Sequence, residues 1–472
     1  MEVKRLKKPT ATKTLYFLGK FCFNLFTGME MYYFASYLTD VALLPVALAG
    51  LALNIPTIVD LILTFVNGVI MEKLKVPIGK YRFWLIVGPI VAAITYATCY
   101  IRFDDDFFCA VMATVMLIIA HFFWSLAEST YTSLPAIITD DTNERSSLSM
   151  LCGAGSNWSS FLFGLIGMPL IIVFNQVTGS TTHGYALLTL VVGALYAISY
   201  IMLAMNIKEV EKAEAEKAEL NAGRGEQKVQ GPSLKAMLMN VAKNPPLIVL
   251  LVYSLFYWIN SFVMSGIMAY YYNCTLGAAA LMGIAITTRS VGGMITPFVY
   301  PLIDKIFKGN KRNIVIFGNA VNIIRMIVTW ALRPGTWAVI ISTAICSFIA
   351  GVSIMPLIAM YADCATYGEW KTGAASKSFV MSLYCVPLKI GLVGNRAILT
   401  AVLGIIGYSA LAEPSQYSGA FNFSYNMLMA ILLIIACVIL FVGYHLTEEK
   451  VKQCALEVDR RNAAAAVSEE QV

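Results

Sequence analysis

The chain alternates long apolar runs with short polar stretches. Twelve runs are long enough to cross about 30 Å of hydrocarbon as helices that rise about 1.5 Å per residue. They cover 14–38, 43–70, 82–101, 107–137, 148–177, 183–206, 246–272, 276–304, 312–332, 336–362, 376–406 and 420–446. Several exceed the minimum length, which predicts tilt or extension beyond the bilayer. One polar stretch, 207–245, is longer than the rest and divides the runs six and six. It opens on the charged helical pattern KEVEKAEAEKAEL, then reads SLKAMLMNVAKNPP, the pattern of a short amphipathic helix ended by Pro245 and Pro246. The expected architecture is an all-α membrane protein of twelve transmembrane helices in two six-helix halves. Residues 1–206 would form the N-terminal half, 207–245 a cytoplasmic linker, 246–446 the C-terminal half and 447–472 a cytoplasmic tail. No close residue-level repeat relates the halves, although two halves around a midplane site are a common transporter plan.

Composition supports this class. The 472 residues are 58% hydrophobic and only 13% charged, against about 25% charged in soluble domains. The net charge of +6 lies mostly in short loops and tails. Lys4, Arg5, Lys7, Lys8 and Lys13 precede the first run, and Lys73, Lys75, Lys80 and Arg82 follow the second. The opposite loops offer only Arg102 and Arg333 beside Asp104, Asp105 and Asp106. The asymmetry predicts a cell-membrane protein with both termini cytoplasmic, and gives no reason to expect a nucleic acid partner. The ten cysteines are scattered without metal-like spacing and read as buried free thiols. HExxH, GxSxG and metal-ligand clusters are absent, so neither an enzyme nor a cofactor is expected.

Polar residues inside the runs carry the functional signal, because a charge at the bilayer centre costs about 2.5–3.5 kcal/mol on insertion scales. The first run holds Lys20, Asn24 and Glu30. In the second, Thr57, Asp60, Thr64 and Asn67 fall within about 80° on a helical wheel. The fourth places His121, Ser125, Glu128 and Thr132 on one face beside Trp124 and Tyr131. Arg289 and Arg325 lie in the eighth and ninth. Lys389 and Arg396, seven residues apart in the eleventh, point within about 20° of each other. Each has a plain reading too. Lys20 can snorkel to the interface, Arg289 and Arg325 can tie helices together, and His121 can be a satisfied interior histidine. The in-span formal balance of +2 favours an anionic or strongly hydrogen-bonding solute.

Ala362-Asp363-Cys364-Ala365-Thr366-Tyr367-Gly368-Glu369-Trp370-Lys371-Thr372-Gly373 resembles the AD-xx-DYGEWKTG signature of the glycoside–pentoside–hexuronide cation symporters, melibiose-carrier-like members of the major facilitator superfamily. Thr139-Asp140-Asp141 with Glu144-Arg145-Ser146-Ser147-Leu148 is similar to that family's TSD-xx-ERTSL loop. Gly79 to Trp84 is similar to GRFRPW, and Gly404 to Tyr408 matches the end of helix eleven. The resemblance implies a twelve-helix alternating-access carrier that binds sugars at mid-membrane and sodium, lithium or protons on helices two and four. Lys389 falls on the helix-eleven lysine, Asp60 on the first helix-two acid, and Tyr131 on an aromatic that can stack on a sugar. Five positions depart from the pattern: Lys20, Thr64, Ala127, Cys152 and Thr366.

The combined expectation is a secondary transporter of a sugar, glycoside or sugar acid, working as a monomer in the lipid bilayer. Lys20, Glu128, Tyr131, Lys389 and Arg396 are the candidate solute ligands. Asp60 and Thr64 are the candidate site for H+ or Na+, with Na+ at Asp60 the one metal candidate. Asp141, Arg145, Asp363, Tyr367 and Trp370 are the candidate cytoplasmic gate. A carrier of amphiphilic or organic anions, an uncoupled facilitator and a non-transporting membrane sensor are the competing readings.

Overall fold

The structure is a computed structural model that describes residues 9–73, 78–139, 141–209, 241–373, 380–381 and 383–469. Residues 233–240 of the amphipathic-helix reading of the linker lie outside them; of the rest, Val241 and Ala242 are helical, and Pro245, expected to end that helix, opens the next one. Helix α1 (Pro9–Gly28) runs on through two π-helical turns, Met29–Phe34 and Tyr37–Val41. Then come α2 (Val46–Lys73), α3 (Lys80–Thr98), α4 (Asp106–Ile138), α5 (Thr142–Thr178) and α6 (Thr181–Asn206). The later helices are α7 (Pro245–Tyr270), α8 (Met282–Ile306), α9 (Lys311–Leu332), α10 (Thr336–Ala350), α11 (Met355–Thr372) and α12 (Cys385–Ile406). A short α13 (Ser418–Asn422) leads through a π turn into α14 (Met429–Gly443), and α15 (Glu448–Glu469) follows. Among the described residues there is no strand, and eleven helical stretches are long and apolar enough to cross a membrane. The first run, interrupted by Lys20, Asn24 and Glu30, is not one of them.

Two compact units emerge. The first contains Met1–Glu226 together with Ser265–Ser290 and Arg396–Phe421. The second contains Gln227–Met264, Val291–Asn395 and Asn422–Val472. Parts of α7, α8 and α12 thus group with the first six helices.

In unit one α1 packs on α5 and α6, α3 on α4 and α6, and α2 on α4. Small residues permit the close approaches: a Cβ on Gly88 would lie 2.8 Å from the Phe123 carbonyl oxygen, and one on Gly193 would lie 2.6 Å from the Ala93 Cβ. The interior is aromatic. Phe26 meets Tyr96 and Trp124 edge-on, at centroid distances of 5.3 and 5.6 Å. Several buried tyrosine hydroxyls find partners, as apolar surroundings favour. The Tyr37 hydroxyl donates to the Tyr100 carbonyl at 2.6 Å, and the Tyr96 and Tyr100 hydroxyls lie 2.6 Å apart. Large apolar side chains such as Ile62, Ile94 and Ile198 are exposed, the arrangement a lipid-facing surface requires.

In unit two α9 packs on α10 and α14. Asn319 donates to the Tyr253 hydroxyl at 2.8 Å and the Tyr361 hydroxyl to Ser254 at 3.1 Å. The residues expected to form a tail include α15, which packs along α11.

Candidate functional site

Charged side chains in unit one gather into two constellations. In the first, the Lys20 ammonium of α1 pairs with Glu128 Oε1 of α4. The other carboxylate oxygen accepts from the Tyr200 hydroxyl of α6 at 2.9 Å. The Lys20 ammonium also lies 4.8 Å from the Phe23 ring centroid, a cation–π contact. Both charged groups are mostly buried, with side-chain exposures of 15% and 21%.

The second constellation centres on Glu30, which sits in the first π turn of α1. Such turns re-aim side chains and recur at functional sites. Arg396 Nη2 of α12 donates to Glu30 Oε1 at 2.7 Å. His121 Nε2 of α4 lies 3.3 Å from the same oxygen. The guanidinium, imidazole and carboxylate are 6%, 6% and 12% exposed, so one buried carboxylate serves two basic groups. The His121 ring also rests against Trp124, with centroids 4.4 Å apart.

Further polar contacts join the turn between α1 and α2 to segments of α7 and α12. The Thr39 and Tyr270 hydroxyls are 2.9 Å apart. Tyr408 donates to Asp40 at 2.9 Å, and Asn54 to Thr400 Oγ1 at 3.0 Å. Backbones also touch: a Cβ on Gly283 of α8 would lie 2.2 Å from the Gly164 carbonyl oxygen of α5, and one on Gly50 would lie 2.4 Å from Thr400 Cγ2. Burial pushes the Asp40 carboxyl up to about 6, against the pull of its hydrogen bonds from Thr39 and Tyr408.

The remaining predicted residues divide as follows. Asp60 is buried in α2. On the same helix Asn67 donates to Ser125 of α4 at 3.0 Å, so the polar face of α2 meets α4. The Thr64 side chain lies outside the described set. Tyr131 is fully buried, stacked on Tyr16 at 4.3 Å and on Tyr200 at 5.3 Å, with its hydroxyl donating to the Tyr16 carbonyl. The ring expected to stack on a sugar is thus covered by two tyrosines in the described arrangement. Lys389 lies half-buried on α12 within unit two.

The gate motifs are structural knots. Arg145 Nε donates to the Thr139 carbonyl at 2.8 Å and Thr139 Oγ1 to Glu144 at 2.6 Å, while Asp141 opens α5. Asp363 pairs with Lys311 at 2.6 Å. The Tyr367 and Trp370 rings lie 5.7 Å apart. The Trp370 indole donates to Glu457 of α15 at 2.7 Å, and that bond, ahead of the Arg461 contact, lowers the Glu457 carboxyl below its ordinary range.

Sequence reasoning named Glu30 and His121 among the in-span polar groups but not among the candidate site residues. Each was visible as an in-span titratable group. Their convergence on Arg396 was not. Among the described residues no group of three or more His, Cys, Asp or Glu side chains could hold a metal ion.

Such helices, with buried ion pairs between them, define a multi-pass membrane protein. A profile described as MFS/sugar transport protein matches residues 15–448. The chain belongs to that family, as the resemblance implied, and is a transporter rather than an enzyme. It is 23% identical over 428 residues to the isoprimeverose transporter of Lactiplantibacillus pentosus, covering 88% of this chain and 85% of that one. It is 23% identical over 455 residues to the glucuronide carrier protein homolog of Escherichia coli, covering 94% of each. A crystal structure of a D-xylose–proton symporter superposes with a TM-score of 0.63 at 12% identity, over 92% of this chain and 98% of that one. At that identity the superposition speaks for the fold.

Proposed function

We propose that the protein carries a sugar, glycoside or sugar acid across the cell membrane by alternating access, coupled to an inward cation gradient. It acts as a monomer, with both termini cytoplasmic. The observation that carries this reading is the seal in unit one. Segments of α7, α8 and α12 dock onto the first six helices through glycine contacts and hydrogen bonds between side chains. By the Lys/Arg asymmetry the α1–α2 turn faces outward, so the described state is sealed on the outside. A carrier must break and remake such a seal in each cycle, and a seal built from glycine contacts and single hydrogen bonds suits that task. The sugar and glucuronide carriers among the relatives support a sugar-type solute.

Within unit one, Lys20 and Glu128 are the proposed solute contacts, since each retains some exposure and offers charge-assisted hydrogen bonds. Within unit two the candidate is Lys389. Arg396 belongs to the seal.

The test is uptake of radiolabelled isoprimeverose and of a methyl glucuronide into proteoliposomes, with and without sodium and proton gradients. Saturable uptake of either sugar that exceeds empty liposomes supports the reading. Uptake no greater than in empty liposomes across a wider panel of pentosides, hexosides and uronates would remove it.

A further inference from the structure

Glu30, His121 and Arg396 come from three helices, and only Arg396 comes from a segment beyond the first six. Charge accounting then separates two states of one site. With Arg396 docked, the Glu30 carboxylate has a permanent cation at 2.7 Å. If the seal opens and α12 withdraws, Arg396 leaves while Glu30 and His121 stay on α1 and α4. A buried carboxylate without a partner costs several kcal/mol. The nearest remedy is a proton, bound either by the carboxylate or by the imidazole 3.3 Å away. The other titratable groups facing Glu30 are Tyr96 of α3 and Cys99 and Tyr100 in the turn that follows it. Tyr270 faces Arg396. A tyrosine or a thiol carries no positive charge in either protonation state, so none of these can replace Arg396.

We propose that Glu30 and His121 form a proton-binding site whose occupancy and the docking of Arg396 exclude each other, which makes the coupling ion a proton. This rests on the alternating-access reading above. Opening to the outside would load one proton at the Glu30–His121 pair. Re-docking of Arg396 would restore the carboxylate's permanent partner and expel the proton as the outer seal closes, leaving the inner side as its exit. Sodium has a poor claim on the same place, since a hard cation wants several oxygen ligands and here it would meet one carboxylate flanked by an imidazole.

The experiment measures the seal directly and needs no solute. Spin labels carried on non-cysteine handles at the exposed positions Leu43 and Leu411 report the distance across the seal in the full chain, from pH 5 to 8.5. Asp40 titrates in the same region with the opposite sense, so the series is run in Asp40→Asn. The expected result is two distance populations, with the sealed one falling about tenfold per pH unit of acidification over part of the range, the slope for one linked proton. Glu30→Gln should flatten that slope. His121→Gln, the second variant should the first misfold, should shift its midpoint. Exchange of sodium for potassium should change nothing. Two populations that ignore pH, or that respond to sodium, would overturn the proton site and leave alternating access standing. A single distance at every pH, also in a Gly164→Val variant built to hold the seal apart, would overturn both.

Discussion

Two buried ion pairs in unit one use the same chemistry for different ends. Lys20–Glu128 joins α1 to α4, and both partners belong to the first six helices. Glu30–Arg396 joins residues 366 apart and ties α1 to a helix of the later chain. A cation and a carboxylate held on neighbouring elements of one bundle contribute to the bundle's cohesion. The same pair stretched between parts that must separate becomes a latch. In the proposed cycle it is connectivity, and not burial or distance, that sets the two pairs apart.

The comparison is open to direct attack. Glu128→Ala should have the largest effect, since it leaves the Lys20 ammonium buried without its carboxylate, at a cost of about 3–5 kcal/mol. Thermal unfolding in detergent should show a large fall for Glu128→Ala and a smaller one for Arg396→Ala, which should instead lengthen the distance across the seal. Equal losses of stability, with no distance change in Arg396→Ala, would erase the distinction. Next comes Gly164→Val, whose Cβ would lie 2.4 Å from Thr287 Oγ1 and 2.6 Å from the Gly283 carbonyl. Overpacking of this kind costs about 1–3 kcal/mol, so sugar uptake and the sealed population should fall together.

Acid should act on the seal through Asp40, which is faced by Tyr408, Tyr270, Tyr185 and Cys274. Its carboxyl is raised to about 6 in the sealed state, from an ordinary 3.8. A raised carboxyl binds more protons when sealed, so its contribution is absent well above pH 6, grows as pH falls through 6, and is complete below the ordinary value. In Glu30→Gln, where the other titration is silenced, the sealed population should therefore rise about tenfold between pH 7 and 5, as read from the same spin-label distances. The smallest effect belongs to Tyr200→Phe. It removes one hydroxyl from Glu128 and should cost about 1 kcal/mol, seen as a modest fall in unfolding temperature with the seal distance unchanged.

Much of the fold could be read along the chain because bilayer thickness dictates run length, and eleven of the expected runs became long apolar helices. The first differs for a local reason, since Lys20, Asn24 and Glu30 interrupt its apolar run. Local motifs were legible as motifs, yet their work came from packing. Thr139 and Arg145 knot the start of α5, and Trp370 reaches α15. Tyr131 shows the limit most clearly. Its position matched a sugar-stacking aromatic, but Tyr16 and Tyr200 already cover the ring, and no pattern of spacing announces that. Glu30 and Arg396 were each visible as in-span charges. Their meeting depends on how α12 docks, information spread over hundreds of residues of tertiary packing.

The crossing of Gly164 and Gly283 carries one last implication. Where two helices meet this closely, little side-chain freedom is lost on contact; the side chain ordered at this joint is Thr287, whose hydroxyl donates to the Phe161 carbonyl at 3.2 Å. The joint therefore behaves as a dry mechanical stop. It halts the approach at a single, repeatable separation, yet holds it with little more than one threonine hydroxyl, as suits a part proposed to come together and separate in every cycle.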